Sequence, residues 1–274
     1  MVLNARDELI HPWESDPLWR ESWYFNFSDP KHQIGGWIYF WITPNQELKS
    51  GMLVCFYHGL ACDKDSTDAA FQSPRHFIRD ERGNWVYCYK CDLPDLINGD
   101  VDNTEIGGLR MRRVSPLSHY RLEFADGENA EFHLDCNFIT DIWDFADNVH
   151  PTPKWFAKSR YHRGWRAAGA LRIGTDHFRI DTVGDSDHSW GTRDMQRFHE
   201  HSMKTYAMQS PNGELSVKAQ LFGPPSRELP RGYISINGDM AAVKTITERS
   251  RYHPNGLMNN ISLRVEDTAG RVID

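Results

Sequence analysis

The chain has 274 residues, 39% of them hydrophobic, with 31 lysines and arginines against 38 aspartates and glutamates. It is therefore long enough to bury a substantial core without small-scaffold staples. The formal charge of −7 gives no general attraction to phosphate backbones or anionic membrane surfaces, which argues against nucleic acid as a partner. No run approaches the roughly 20 apolar residues that a membrane-spanning helix requires.

Residues 1–19 lack the apolar core of a signal peptide, which points to the cytoplasm. A short helical piece is predicted over 16–22. Before the first long strand, Glu21, Ser22, Trp23 and Tyr24 set a carboxylate beside two aromatic rings, where an apolar wall can keep a carboxyl group protonated. Strands are predicted at 36–43 and 52–58, a second short helical piece at 68–71, then strands at 85–91, 109–114, 118–124 and 130–138. The irregular stretch 142–158 carries Pro151 and Pro153 and reads as a linker or lid. It divides the chain near residue 150 into an N-terminal β lobe, 1–150, and a C-terminal β lobe, 151–274. Strands resume at 165–173, 177–182, 203–209, 215–222, 232–236, 241–249 and 261–266. Turn signals at 81–84, 126–127, 174–176, 211–213, 237–238 and 255–256 sit where antiparallel hairpins would reverse. At 267–274 a hairpin has just turned, so either the last strand is very short or the sequence is cut there. Many short antiparallel strands with almost no helical periodicity predict an all-β fold of barrel or sandwich lobes.

Five cysteines, Cys55, Cys62, Cys88, Cys91 and Cys136, form an odd set. Cys88 and Cys91 have CxxC spacing, but they lie in a strand-like run with no second pair, so all five read as packing residues rather than zinc or redox groups. Aromatic residues make up 12% of the chain, ten tryptophans among them. That content suits a wide β core or a pocket for a bulky apolar ligand.

The densest chemistry lies in residues 187–195, where Asp187, His188, Trp190, Arg193 and Asp194 surround Gly191. The strand before it meets Gly184, so the run is expected to leave a strand end at a barrel mouth, where ligands collect. Beside Asp187, His188 could have a pKa moved across neutrality, as acid–base work requires. In the competing structural reading, Asp187 and Asp194 bind Arg193 and backbone amides while Trp190 plugs the core. His162, in the run Tyr161 to Trp165, could face the same cavity from a neighbouring strand as a second acid–base group. His199 and His201 begin a cupin-like metal pattern, but no carboxylate follows at the required spacing. Ser189 is no hydrolase nucleophile: adjacent strand residues point in opposite directions, and no Gly-x-Ser-x-Gly elbow occurs. No glycine-rich dinucleotide or phosphate loop is present either, which disfavours hydride and phosphoryl transfer.

The runs Glu21 to Phe25, Tyr161 to Trp165 and Gly184 to Asp194 together resemble the two-lobed, lipocalin-like family of carotenoid 1,2-hydratase (hydroxyneurosporene synthase) and AttH. The likeness is closest to a bacterial branch bearing an Asp-His-Ser-Trp-Gly-x-Arg-Asp signature. This chain departs from the family's middle motif at His162 and Arg163, where an acidic or amide residue commonly follows the tyrosine. The resemblance implies two lipocalin-like antiparallel lobes and a ligand cavity at or near their junction. It also implies action on large apolar molecules, by water addition to double bonds or by pericyclic cyclisation of polyenes. The expected function is a hydratase, lyase or isomerase needing no redox cofactor and no metal, acting on an isoprenoid, steroid or polyketide-like substrate. Asp187, His188, Arg193, Asp194 and Glu21 are the candidate catalytic residues, with Asp187 or Glu21 as a carboxyl kept neutral to protonate carbon. Trp23, Tyr24, Tyr161, His162, Trp165 and Trp190 are the candidate ligand-binding residues. The alternative function is a non-catalytic carrier of an apolar small molecule.

Overall fold

The computed structural model describes residues 4–59, 75–97, 101–253 and 258–274. The expected helical piece at 68–71, the turn at 255–256 and Cys62 lie outside them. Strands dominate, and their antiparallel pairing builds two curled sheets. The first contains β1 (Trp19–Asp29), β2 (Ile34–Ile42), β3 (Ser50–His58), β4 (Arg75–Arg79), β5 (Trp85–Leu93), β6 (Thr104–Ile106), β7 (Leu109–Ser115), β8 (His119–Ala125), β9 (Ala130–Phe138), β10 (Trp143–Asp144), β11 (Ser159–Ile173) and β12 (Asp176–Thr192). Its order is β4-β5-β3-β2-β1-β12-β11-β9-β8-β7-β6, with β10 paired to β11. The second sheet runs in chain order: β13 (Ser202–Gln209), β14 (Leu215–Gly223), β15 (Leu229–Ile236), β16 (Asp239–Tyr252), β17 (Met258–Asp267) and β18 (Val272–Ile273).

The expected helix at 16–22 is instead a turn followed by the start of β1. Along β1, Trp19, Glu21, Trp23, Phe25 and Phe27 alternate with Arg20, Ser22, Tyr24 and Asn26, the two-residue period of a strand. The first set joins Phe40, Phe56, Tyr120, Phe124 and Trp165 in the large core inside the first sheet. Aromatic side chains thus fill that interior. The second sheet has its own small core of Val217, Ala219, Ile234, Val243 and Val265.

The change of sheet falls at 193–201, after β12, and not near residue 150, because β11 and β12 pair with β9 and β1 of the first sheet. The proline-bearing stretch is a strap across both sheets. Trp143 and Phe145 pack with Tyr233 and Ala242, and Phe156 and Ala157 pack with Phe222. Asn148 Oδ1 accepts from the Gly232 N–H at 2.8 Å and from the Trp143 indole at 3.2 Å. Of the cysteines, Cys55 and Cys88 are not free packing thiols. They are opposite one another across β3 and β5 and joined as a disulfide, whereas Cys91 and Cys136 are free.

Gly184 does not end a strand. It lies inside β12 where that strand passes close to β1, and a Cβ there would collide with the Asn26 carbonyl oxygen and the Trp165 indole. Gly184→Ala is therefore expected to destabilise the fold by about 1–3 kcal/mol. Denaturant unfolding followed by tryptophan fluorescence measures this, and a variant as stable as the parent would refute the close approach.

Candidate functional site

The run from Asp185 to Trp190 belongs to the interior of β12, bonded to β1 on one side and β11 on the other, rather than to a loop at a barrel mouth. Strand alternation then divides it. Gly184, Ser186, His188 and Trp190 face the core of the first sheet, whereas Asp185, Asp187 and Ser189 face the second sheet. The candidate residues taken together as one site occupy two opposite sides of one strand.

On the core side, Glu21 is fully buried, with His11 Nδ1 and His188 Nε2 each 2.7 Å from its Oε1. The His11 backbone N–H donates to Oε2 at 2.9 Å. The Tyr161 hydroxyl lies 3.2 Å from His188 Nδ1. Trp23 stacks on His188 at 4.5 Å, and Trp190 on His11 at 3.7 Å. Burial lowers the pKa of His188 even though Glu21 pulls it upward, so the ring is neutral. It then donates from Nε2 to the carboxylate and accepts the Tyr161 proton at Nδ1. His11, Glu21 and His188 are the grouping with metal-ligand spacing among the described residues, their donor atoms within 4.8 Å of one another. Hydrogen bonds alone already satisfy it. A second buried carboxylate, Glu8, accepts from Arg163 at 2.5 Å and from the Leu117 N–H at 2.9 Å. Trp165 is packed in the core and donates its indole N–H to the Asn26 carbonyl at 3.0 Å. Trp23, Trp165 and Trp190 thus line neither cavity described below.

On the other side, a cavity of about 390 Å³ opens between the sheets. Arg20, Ser22, Tyr24, Trp37, Tyr39, Arg160, His162, Asp187, Ser189 and Arg193 of the first sheet and its flanks line it, with Met203, Thr205 and Lys218 from the second. Phe156, Met195, Phe198 and Leu53 complete an apolar wall. Tyr24, Trp37 and Thr205 also line a larger cavity of about 920 Å³, so the two are contiguous.

Asp187 accepts from Arg160 Nε at 2.8 Å and lies 2.6 Å from its Nη2. The ring of His162 sits between two carboxylates, Nε2 3.2 Å from Asp187 and Nδ1 3.4 Å from Asp185. Lys218 crosses from the second sheet to hydrogen-bond Asp185. Burial would raise the pKa of Asp187, but Arg160, His162 and Lys218 hold it far below the usual carboxylate range. It is an anion and cannot be the neutral acid expected of it. Glu21, the other carboxyl considered for that role, faces the core.

Arg193 donates from Nε to the Phe156 carbonyl at 2.6 Å and from Nη2 to Ser189 Oγ at 2.8 Å. Burial lowers its pKa to about 10. Tyr39 is the counterpart: burial raises its phenol, but Arg20, Arg193 and a hydrogen bond from Ser22 bring it below its ordinary value. Asp194 caps the helical turn Met195–Phe198, accepting from the Arg197 N–H at 2.9 Å, and does not line the cavity. His201 Nδ1 donates to the Arg197 carbonyl at 2.8 Å, and its ring stacks on Phe222.

Sequence reasoning missed Tyr39, Arg20, Arg160 and Lys218. One signal was available in β2. Its residues Trp37, Tyr39 and Trp41 alternate with Ile38, Phe40 and Ile42, so bulky side chains on both faces mark a strand covered on both sides.

A family model described as Domain of unknown function (DUF7064) matches residues 4–71 and 78–274. No curated protein matches the sequence. Among solved structures, an AttH-like protein (NE1406) of Nitrosomonas europaea is similar, with a TM-score of 0.58 and 10% identity over 92% of this chain and 78% of that one. CghA is similar too, with a TM-score of 0.57 and 11% identity over 92% of this chain and 73% of its own. The structure of CghA with Sch210972 gives 0.56 at the same identity and coverage. At these identities the likeness establishes the lipocalin-like fold.

The depressed pKa of His188 has a signed consequence. Below the unfolded value near 6.5 the unfolded chain takes up a proton that the native ring refuses, so this group removes stability as pH falls from about 7 toward its folded pKa. Melting temperatures of the parent and His188→Gln between pH 5 and 8 should show a shallower acid-side decline in the variant. Parallel curves would contradict the neutral, buried ring.

Proposed function

The chain belongs to the family described as Domain of unknown function (DUF7064), and we propose that within it this protein is an enzyme of the hydratase, lyase or isomerase type. Its substrate is a hydrophobic molecule of isoprenoid, steroid or polyketide kind, bound between the two sheets, and the reaction uses no redox cofactor. One observation carries this reading: a half-buried phenol, Tyr39, is brought below its ordinary pKa by two guanidinium groups on the wall of an otherwise largely apolar cavity.

The chemistry of these reaction types is movement of a proton to or from carbon while an apolar enclosure excludes water. Tyr39 is the proton donor in this reading, and Arg20 and Arg193 stabilise the phenolate it leaves. Asp187 acts as a fixed anion that orients Arg160 and His162, not as the acid. Tyr24 and His162 line the substrate space, and Trp37, Phe156, Phe198 and Met203 supply its apolar walls. The solved CghA with Sch210972 supports the reading by analogy of fold alone.

Incubation in deuterium oxide with a panel of isoprenoid, steroid and polyketide compounds, followed by mass spectrometry, tests the proposal. One compound class should return as product carrying deuterium on carbon, and Tyr39→Phe should slow its formation by about 10²–10⁴-fold. Compounds that bind but are recovered unchanged and unlabelled would establish the carrier function instead.

A further inference from the structure

We infer that the ligand of the inter-sheet cavity is an organic acid, whose carboxylate is received between Arg20 and Arg193 and whose apolar body extends along the groove. This rests on the reading above that the cavity is the ligand site, and it adds the chemical class of the ligand's polar end.

The argument is a charge count. Four permanently cationic side chains line the cavity: Arg20, Arg160, Arg193 and Lys218. Two are matched, Arg160 by Asp187 and Lys218 by Asp185. Arg20 and Arg193 form no ion pair among the described residues, in a chain whose overall charge is −7. Arg20 is held over the rings of Trp41 at 4.5 Å and Tyr39 at 5.5 Å, and its buried Nε has no hydrogen-bond partner. Arg193 is anchored through Nε and Nη2, while its Nη1 bonds to no described residue. Two half-buried guanidinium groups that repel one another and have no counter-charge favour an anion, and a guanidinium edge is shaped for two carboxylate oxygens.

The body of the ligand has a place as well. Phe156, Phe198 and Met203 flank the cationic end, and the contiguous 920 Å³ cavity continues past Tyr24 and Trp37 to Val217, Leu263 and Val265. An amphiphilic acid matches both parts, whereas a neutral hydrocarbon would leave the two cations unanswered.

Decanoate, decanol and decylammonium share one chain length and differ only in head group, and isothermal titration of the full chain with each tests the inference. Decanoate should bind roughly 10- to 100-fold tighter than decanol, with decylammonium weakest. Arg20→Gln, which removes no side-chain hydrogen bond among the described residues, should lower decanoate affinity about tenfold and leave decanol binding unchanged. Arg193→Gln should do the same if its melting temperature stays near the parent's. Equal binding of decanoate and decanol by the parent would overturn the carboxylate inference while leaving the cavity as the ligand site. Binding of none of the three would overturn the cavity reading itself, and the inference with it.

Discussion

Two-sided burial of β12 governs the rest of this structure. The strand is hydrogen-bonded to β1 and β11 and has packed side chains above and below, so every residue from Asp185 to Trp190 is committed to one of two compartments. One is an aromatic core in which polar groups survive only because they are mutually hydrogen-bonded. The other is a polar seam between two sheets. A one-residue slip would send His188 to the seam and Asp187 to the core, stranding a carboxylate among tryptophans. The density of titratable and aromatic residues in this run reflects the needs of two compartments at once.

The seam joins the sheets by charge as well as by the apolar contacts of the strap. Lys218, Asp185, His162, Asp187 and Arg160 form a continuous buried chain, with an ion pair at each end and the His162 ring between the two carboxylates, reaching from β14 to β12 and β11. Such pairs add little net stability over a well-packed apolar seam, yet removing one partner costs about 3–5 kcal/mol because it strands the other. They act mainly to fix where the second sheet docks. That register keeps Arg193 beside Tyr39 and leaves open space next to them, which uniform hydrophobic packing would close.

Most strands were legible because one of their faces differs from the other. The alternation of β9, with Phe132, Leu134 and Cys136 buried between Glu131, His133 and Asn137, marks its bounds in the sequence. Where both faces are covered, that contrast disappears. The segment Glu21 to Tyr24 gave no strand signal for this reason, although it opens the central strand of the large sheet. Gly184 misled by the same route: a residue type that usually marks a turn was present to let two backbones approach. The site divided in a similar way. Asp187, Arg193, Tyr24 and His162, which line the cavity, stand out as candidates in the sequence, while Tyr39, Arg20 and Lys218 resemble ordinary strand residues. Only sheet order brings them together, and order is not written in any local window.

The pairing of β1 with β12 also has a consequence for how the chain reaches this state. Ser22 and Ser189 touch across a sequence separation of 167, so the central seam of the larger sheet closes only after most of the chain exists. High contact order of this kind slows folding. During synthesis, a nascent chain that has just passed the prolines holds β1 and β9 with one side of each still unpaired, and both strands carry buried aromatic residues. Those open edges are templates for association with other chains. A fragment ending near residue 150 would keep them permanently, so the place that looks most like a natural cut is the one where truncation would produce an aggregating half-sheet.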